Sequence, residues 1–160
     1  MYVPFDTLPT HSRIWIYQSN RKLTDIEVAE IEVSTKDFVE NWSAHGQSLE
    51  ASFKIEYNRF IIIAVNQDMQ TATGCSIDAS VQFIQNLEQK YGVDLLDKMN
   101  VTFKLGEHIA HKTLIEFKKM AKEKAVSANT VVFNNLVNTI EEWKDFWEVP
   151  ASDSWHNRFF

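Results

Sequence analysis

The stretch from residue 49 to residue 65 limits the fold more than any other. Leu49, Ala51, Phe53, Ile55 and Tyr57 alternate with Glu50, Ser52, Lys54 and Glu56, the two-residue period of a strand with one wet face. Asn58 and Arg59 read as a short turn, and the six residues 60–65 (FIIIAV) return as a wholly apolar strand. An apolar strand needs cover on both faces, so this hairpin predicts a sheet with other elements packed on it.

Residues 13–19 (RIWIYQS) are also apolar on both faces, Ile14 and Ile16 on one and Trp15 and Tyr17 on the other. They predict a second covered strand. Thr24-Asp-Ile-Glu27 is a capping box, in which hydroxyl and carboxylate satisfy the amides of a helix start. Val28, Ile31, Thr35, Phe38 and Trp42 then recur at helical steps, with Gly46 as the stop. A second helix is expected from about Ser76, with Ile77, Val81, Ile84, Leu87 and Tyr91 on one face and Gly92 after it. Val101, Phe103 and Leu105 alternate with Thr102 and Lys104, which predicts a fourth strand.

The order strand, helix, strand, strand, helix, strand is that of a ferredoxin-like βαββαβ fold. The expected class is therefore α+β, with a four-stranded, mainly antiparallel sheet whose first and third strands are central. Residues 112–124 and 139–147 read as further helices, the latter opening on Thr139 and Glu142. Residues 129–137 read as helical too, against the β-branched run Thr130-Val131-Val132. These C-terminal helices, or a second copy of the chain, would cover the face the first two helices leave open. The 160 residues, 44% hydrophobic, suffice for a sizeable core, and no repeat or linker divides them. One α+β domain over residues 1–160 is expected.

The first ten residues hold Pro4, Asp6 and Pro9 and no positive charge, so no secretory leader is expected. Cys75 is the only cysteine, which excludes an internal disulfide and points to a reducing cytoplasm. The longest apolar run is six residues, so no membrane span is expected. Net charge is -6, yet residues 98–124 carry seven lysines against three acids. A solvated helix face accounts for that run; with no aromatic-interleaved basic motif, no nucleic-acid partner is expected.

Gly46, Gly74, Gly92 and Gly106 lie too far apart for a P-loop or a GxGxxG turn, and the zinc-helix, nucleophile-elbow and EF-hand patterns are missing. No cofactor and no metal are expected. His108 and His111 stand three apart with Glu107 beside them, short of the ligand set a metal needs. Chemistry concentrates instead at Gly74-Cys75-Ser76-Ile77-Asp78, a strand-to-helix corner. A helix start lowers a thiol's pKa and offers amides to an anion, although Asp78 in the first turn would compete for the dipole. Cys75 as nucleophile would take His45 or His156 as base, with the amides of Ser76 and Ile77 as oxyanion donors. The plainer readings are a small buried core residue for Cys75 and a helix C-cap for His45. An anion at the corner would be bound by Gly74 and Ser76, with Arg158 or a lysine of 112–124 as counter-charge. The tail, with Trp155, His156 and Arg158, would either close over a pocket or dock on the domain.

Trp143, Phe146, Trp147, Trp155, Phe159 and Phe160 make the C-terminus dense in aromatic rings. The first three stand at helical spacing, the mark of a core face, or of a partner-binding patch where exposed. The leading expectation is a non-enzymatic cytosolic binding or interaction domain, its partner an unknown protein or a second copy. A thiol-dependent enzyme and a binder of small anions are the alternatives.

The strings YQSNRKLTD, NRFIIIAV, GCSIDASVQFIQNLEQKYGVDLLDKMNV, FNNLVNT and FWEVPASDSWHNRFF resemble a family of short uncharacterised bacterial proteins often labelled ABC transporter ATPase. The resemblance spans nearly the whole chain. It implies no catalytic residue, and the Walker motifs that the label calls for are missing from this sequence.

Overall fold

The computed structural model describes residues 1–160. The fold is mixed α+β with antiparallel sheets, and no helix is long and apolar enough to cross a membrane. The chain groups into two compact units, Met1–Leu96 with Asn138–Glu141, and Asp97–Val137 with Glu142–Phe160.

The first unit carries β1 (Arg13–Gln18), α1 (Asp25–Glu40), β2 (Ser43–Ala44), β3 (Gln47–Ser48), β4 (Glu50–Glu56), β5 (Phe60–Asn66) and α2 (Gly74–Tyr91). Its main sheet is antiparallel with β5 between β1 and β4. Every residue of β5 is buried. Ile61, Ile63 and Val65 share one core with Ile31 and Val39 of α1 and Ile84 and Leu87 of α2. Phe60, Ile62 and Ala64, which point the other way, are buried as well. Each large side chain so removed from water contributes roughly 1.5–3 kcal/mol.

The hairpin turn lies one residue earlier than expected. Tyr57 and Asn58 both have positive φ, 55° and 54°, and the Arg59 N–H donates to the Glu56 oxygen at 3.0 Å. Glu56 pairs with Phe60, so three residues make the loop, and its first two take the left-handed conformation common in hairpin turns. Asn58 suits the left-handed region; Tyr57 occupies it at a cost of roughly 1–2 kcal/mol. The Asn58 amide also donates to the Asp25 carboxylate at 2.8 Å, joining the hairpin to the start of α1.

The four-stranded ferredoxin-like sheet does not form. Residues 101–105 are a strand, but it belongs to the second unit's sheet, and β1 is an edge strand rather than a central one. Beside β1, Ile14 N–H donates to the Asn138 oxygen at 2.9 Å and Ile140 N–H to the Ser12 oxygen at 3.1 Å. A single bridge, Arg13 to Thr139, thus stands at that edge. Two-faced apolarity reports cover, and cover does not require strand neighbours on both sides.

The capping box of α1 forms as its sequence predicts. Arg21 adds a bidentate contact to Glu27, 2.8 Å for each pair. Chiefly for that reason, with the Thr24 amide second, the Glu27 carboxyl is held down at about 2. The helix stops at Glu40, six residues before Gly46, with Asn41 as its cap and the Asn41 amide donating to the Asp37 oxygen at 2.9 Å. His45 and Gly46, with φ of 52° and 76°, are instead the turn of the β2–β3 hairpin.

The second unit carries β6 (Val101–Leu105), β7 (His108–Lys112), α3 (Leu114–Lys122), β8 (Val131–Phe133) and β9 (Glu148–Pro150); α4 (Ile140–Phe146) precedes β9, its first two residues counted with the first unit and the rest with the second. The sheet runs β7-β6-β8-β9, all antiparallel. Residues 129–137 are not helical. Val132 sits in register with Phe103 and Val149, the extended placement that β-branched side chains favour. Phe117 of α3 is fully buried against Phe103, 5.1 Å between ring centres. The tail forms short 3-10 turns at Ala151–Asp153 and Trp155–Phe159. It sets His156, Phe159 and Phe160 around Phe117, at 6.1, 6.0 and 6.1 Å.

Candidate functional site

Within the first unit, the end of α1, the β2–β3 hairpin and the opening turns of α2 enclose a groove of about 710 Å³. Its floor is aromatic. Trp42, just beyond the cap of α1, is buried and donates its indole N–H to the Ser76 oxygen at 2.8 Å. Phe38 lies 5.3 Å from Trp42 and stacks on Phe83 at 4.7 Å with the planes 8° apart. Such a pair contributes about 0.5–1.5 kcal/mol beyond the area it buries. Phe38 and Phe83 are only half-buried, so ring surface faces the groove.

The start of α2 forms one wall. Thr73 and Ser76 cap each other: the Ser76 N–H donates to Thr73 Oγ1 at 3.2 Å, and the Thr73 N–H donates to Ser76 Oγ at 2.6 Å. The Ile77 N–H donates to the Thr73 oxygen at 2.9 Å. Ser76 and Ile77, expected as oxyanion donors, therefore spend their amides on the cap. The amides of Gly74 and Cys75 remain without a partner. Because α2 begins at Gly74, Asp78 falls beyond its first turn, which holds no acidic residue. The expected competition of Asp78 for the dipole is correspondingly weaker.

Cys75 is exposed and lines the groove, not a core residue as the plainer reading had it. His45 lines the same groove from the hairpin turn, where it caps no helix. No hydrogen bond joins the thiol to the imidazole. Cys75 and Ser76 thus line one groove with His45, Gly74 is not among its lining residues, and His156 and Arg158 belong to the second unit. His156 is buried, its Nδ1 2.6 Å from Ser154 Oγ and its ring stacked on Trp155 at 3.9 Å. Burial pushes its pKa down to about 4. Arg158 is exposed, with its guanidinium 5.9 Å from the Trp155 ring centre.

His108 and His111 lie on β7, where residues three apart point to opposite faces. His111 Nδ1 is 2.9 Å from Thr102 Oγ1. The C-terminal aromatics divide between core and surface. Trp147 is buried, 4.9 Å from Phe133, and donates to Asn135 Oδ1 at 2.9 Å. Phe146 and Leu136 are 56% and 54% exposed beside Trp155, around a cleft of about 280 Å³ in the second unit.

The chain matches no family model, no curated protein and no solved structure.

Phe38, Phe83 and Asp37 were not legible as groove residues. Phe38 follows the helical period of the core face, and nothing in the sequence distinguishes it from a buried member of that face. The one available signal was His45-Gly46, a dipeptide suited to a two-residue hairpin turn that ends α1 early.

Proposed function

We propose that the protein is a non-enzymatic binding domain of a reducing cytoplasm, and that the first unit's groove is its ligand site. The observation that carries this reading is the half-exposed Phe38–Phe83 stack inside a groove of about 710 Å³. Pockets of roughly 300–1,000 Å³ with an apolar body and a few convergent polar groups are the usual form of a small-molecule site. Folding alone gives no reason to leave ring surface open beside the free amide of Cys75. The exposed Phe146 and Leu136 offer a second, flatter surface on which a protein partner would rest.

Cys75 reports occupancy. Millimolar indole should slow alkylation of Cys75 by iodoacetamide several-fold in the native protein, with glutathione in the same solution as an internal control. Equal slowing of both thiols, or of neither, contradicts the reading.

A thiol-dependent enzyme is the second reading, favoured by the presence of Cys75 and His45 on one groove. It requires the two side chains to meet and the amides of Gly74 and Cys75 to serve an oxyanion. A His45→Ala variant separates the readings. It lowers the alkylation rate of Cys75 at neutral pH if the imidazole activates the thiol, and leaves it unchanged if the groove only binds.

A further inference from the structure

β4 is an edge of the first unit's main sheet, with β5 on one side only. On its outer side the Ala51 oxygen accepts from the Val3 N–H at 2.9 Å, and the Ala51 N–H donates to the Met1 oxygen at 3.1 Å. The N-terminus thus covers this edge at Ala51 by a single parallel bridge, Tyr2 to Ala51. Backbone groups turn outward at every second residue of a strand, so those of Phe53 and Ile55 face the same way. Neither residue has a backbone hydrogen-bond partner on that side. Beside them a groove of about 460 Å³ runs between α1 and β4, lined by Tyr2, Val33, Lys36, Phe53 and Ile55. Val33 is 72% exposed. None of these residues lines the larger groove, and the two surfaces stand independently.

Unpaired strand groups beside apolar surface recruit another strand. The charges of β4 select which one. Lys54 and Glu56 share the face opposite to Phe53 and Ile55, with their charged groups 3.8 Å apart. We infer that the edge pairs with β4 of a second copy, antiparallel about a twofold axis at Ile55. Outward groups must meet outward groups, so only alternate registers are open. Phe53 set against Ile55 of the second copy would bring Lys54 against Lys54. Ile55 set against Tyr57 would bring Glu56 against Glu56. Registers that reach Ala51 meet the N-terminus already in place. With Ile55 opposite Ile55, each Lys54 lies opposite a Glu56, two attractive cross-strand pairs from one strand sequence. The Ile55 N–H and oxygen then exchange hydrogen bonds across the axis. That axis runs normal to the sheet, so both α1 helices lie on one face with Val33 along the seam.

Sedimentation of the full chain from micromolar to millimolar concentration should show a monomer–dimer equilibrium. Lys54→Glu or Glu56→Lys alone turns both pairs repulsive and should weaken the dimer about tenfold. The double swap re-forms both pairs and should restore the affinity. Both side chains reach solvent, and circular dichroism checks that each variant is folded. A chain that stays monomeric at millimolar concentration, a dimer indifferent to the single swaps, or one that the double swap fails to restore overturns the assignment. Hydrogen exchange needs no variant. In the unmutated chain the Ile55 amide should exchange more slowly as concentration rises, and an Ile55 amide indifferent to concentration contradicts the pairing.

Discussion

Trp42 donates its indole N–H to the Ser76 oxygen at 2.8 Å, tying the residue beyond the cap of α1 to the third residue of α2. This bond sets the width of the groove, because Phe38 leans on Trp42 from one helix and Cys75 precedes Ser76 on the other. Trp42→Phe keeps a ring but deletes the donor and part of the packed volume. It should cost about 1–3 kcal/mol, read as a lower urea midpoint by circular dichroism. An unchanged midpoint would show that the tie is dispensable.

Ile63 lies in the middle of β5, fully buried between its partners Trp15 and Phe53. Ile63→Ala should destabilise the protein by about 2–5 kcal/mol through lost burial and the cavity left behind. A loss below about 1 kcal/mol in urea unfolding would mean that β5 is not the structural centre of the first unit.

Glu27 titrates at about 2 in the folded chain, against an ordinary 4.5, chiefly because Arg21 and then the Thr24 amide hold its charged form. The folded pKa is the lower one, so the stabilisation is complete above the ordinary value and is lost as pH falls through about 2. Carboxyl NMR titration should place Glu27 well below the other glutamates, and Arg21→Ala should move it up toward them. A Glu27 titration at the ordinary value in the unmutated protein contradicts the bidentate pair.

His156 is displaced for a different reason. Burial alone takes it from 6.5 to about 4, so the folded second unit keeps it neutral. Between those values the unfolded chain binds a proton that the folded chain refuses. Stability therefore declines as pH falls from 6.5 toward 4 and is undiminished above that window. His156→Gln removes the titrating group and should flatten this part of the stability profile. An identical slope in both proteins would place the acid sensitivity elsewhere.

The sequence conveyed local structure better than pairing. The capping box at Thr24 and Glu27 needs only four consecutive residues, and it formed as written. Residues 101–105 are a strand as their alternation predicts, but alternation is blind to which sheet a strand joins. The run Thr130-Val131-Val132 signalled β structure through its branching, and the helical reading of residues 129–137 overrode that signal.

The candidate site was legible in the same uneven way. Cys75 and Ser76 could be placed at a helix start from Gly74 onward, and the structure puts both on the groove with His45. The proximity of His45 came from a turn, not from the helix end that the spacing suggested. Phe38 and Phe83 lie 45 residues apart in sequence and meet only through the packing of α1 on α2, a tertiary contact with no local trace.

The ligand groove itself is tested most directly by amide NMR shifts during titration with indole. The account predicts saturable shifts concentrated at Phe38, His45, Cys75, Ser76, Ala79 and Phe83, with Ala79→Trp abolishing them by filling the groove that Ala79 lines. Shifts that stay scattered, fall mainly on the second unit around Phe146 and Trp155, or persist unchanged in Ala79→Trp would contradict it.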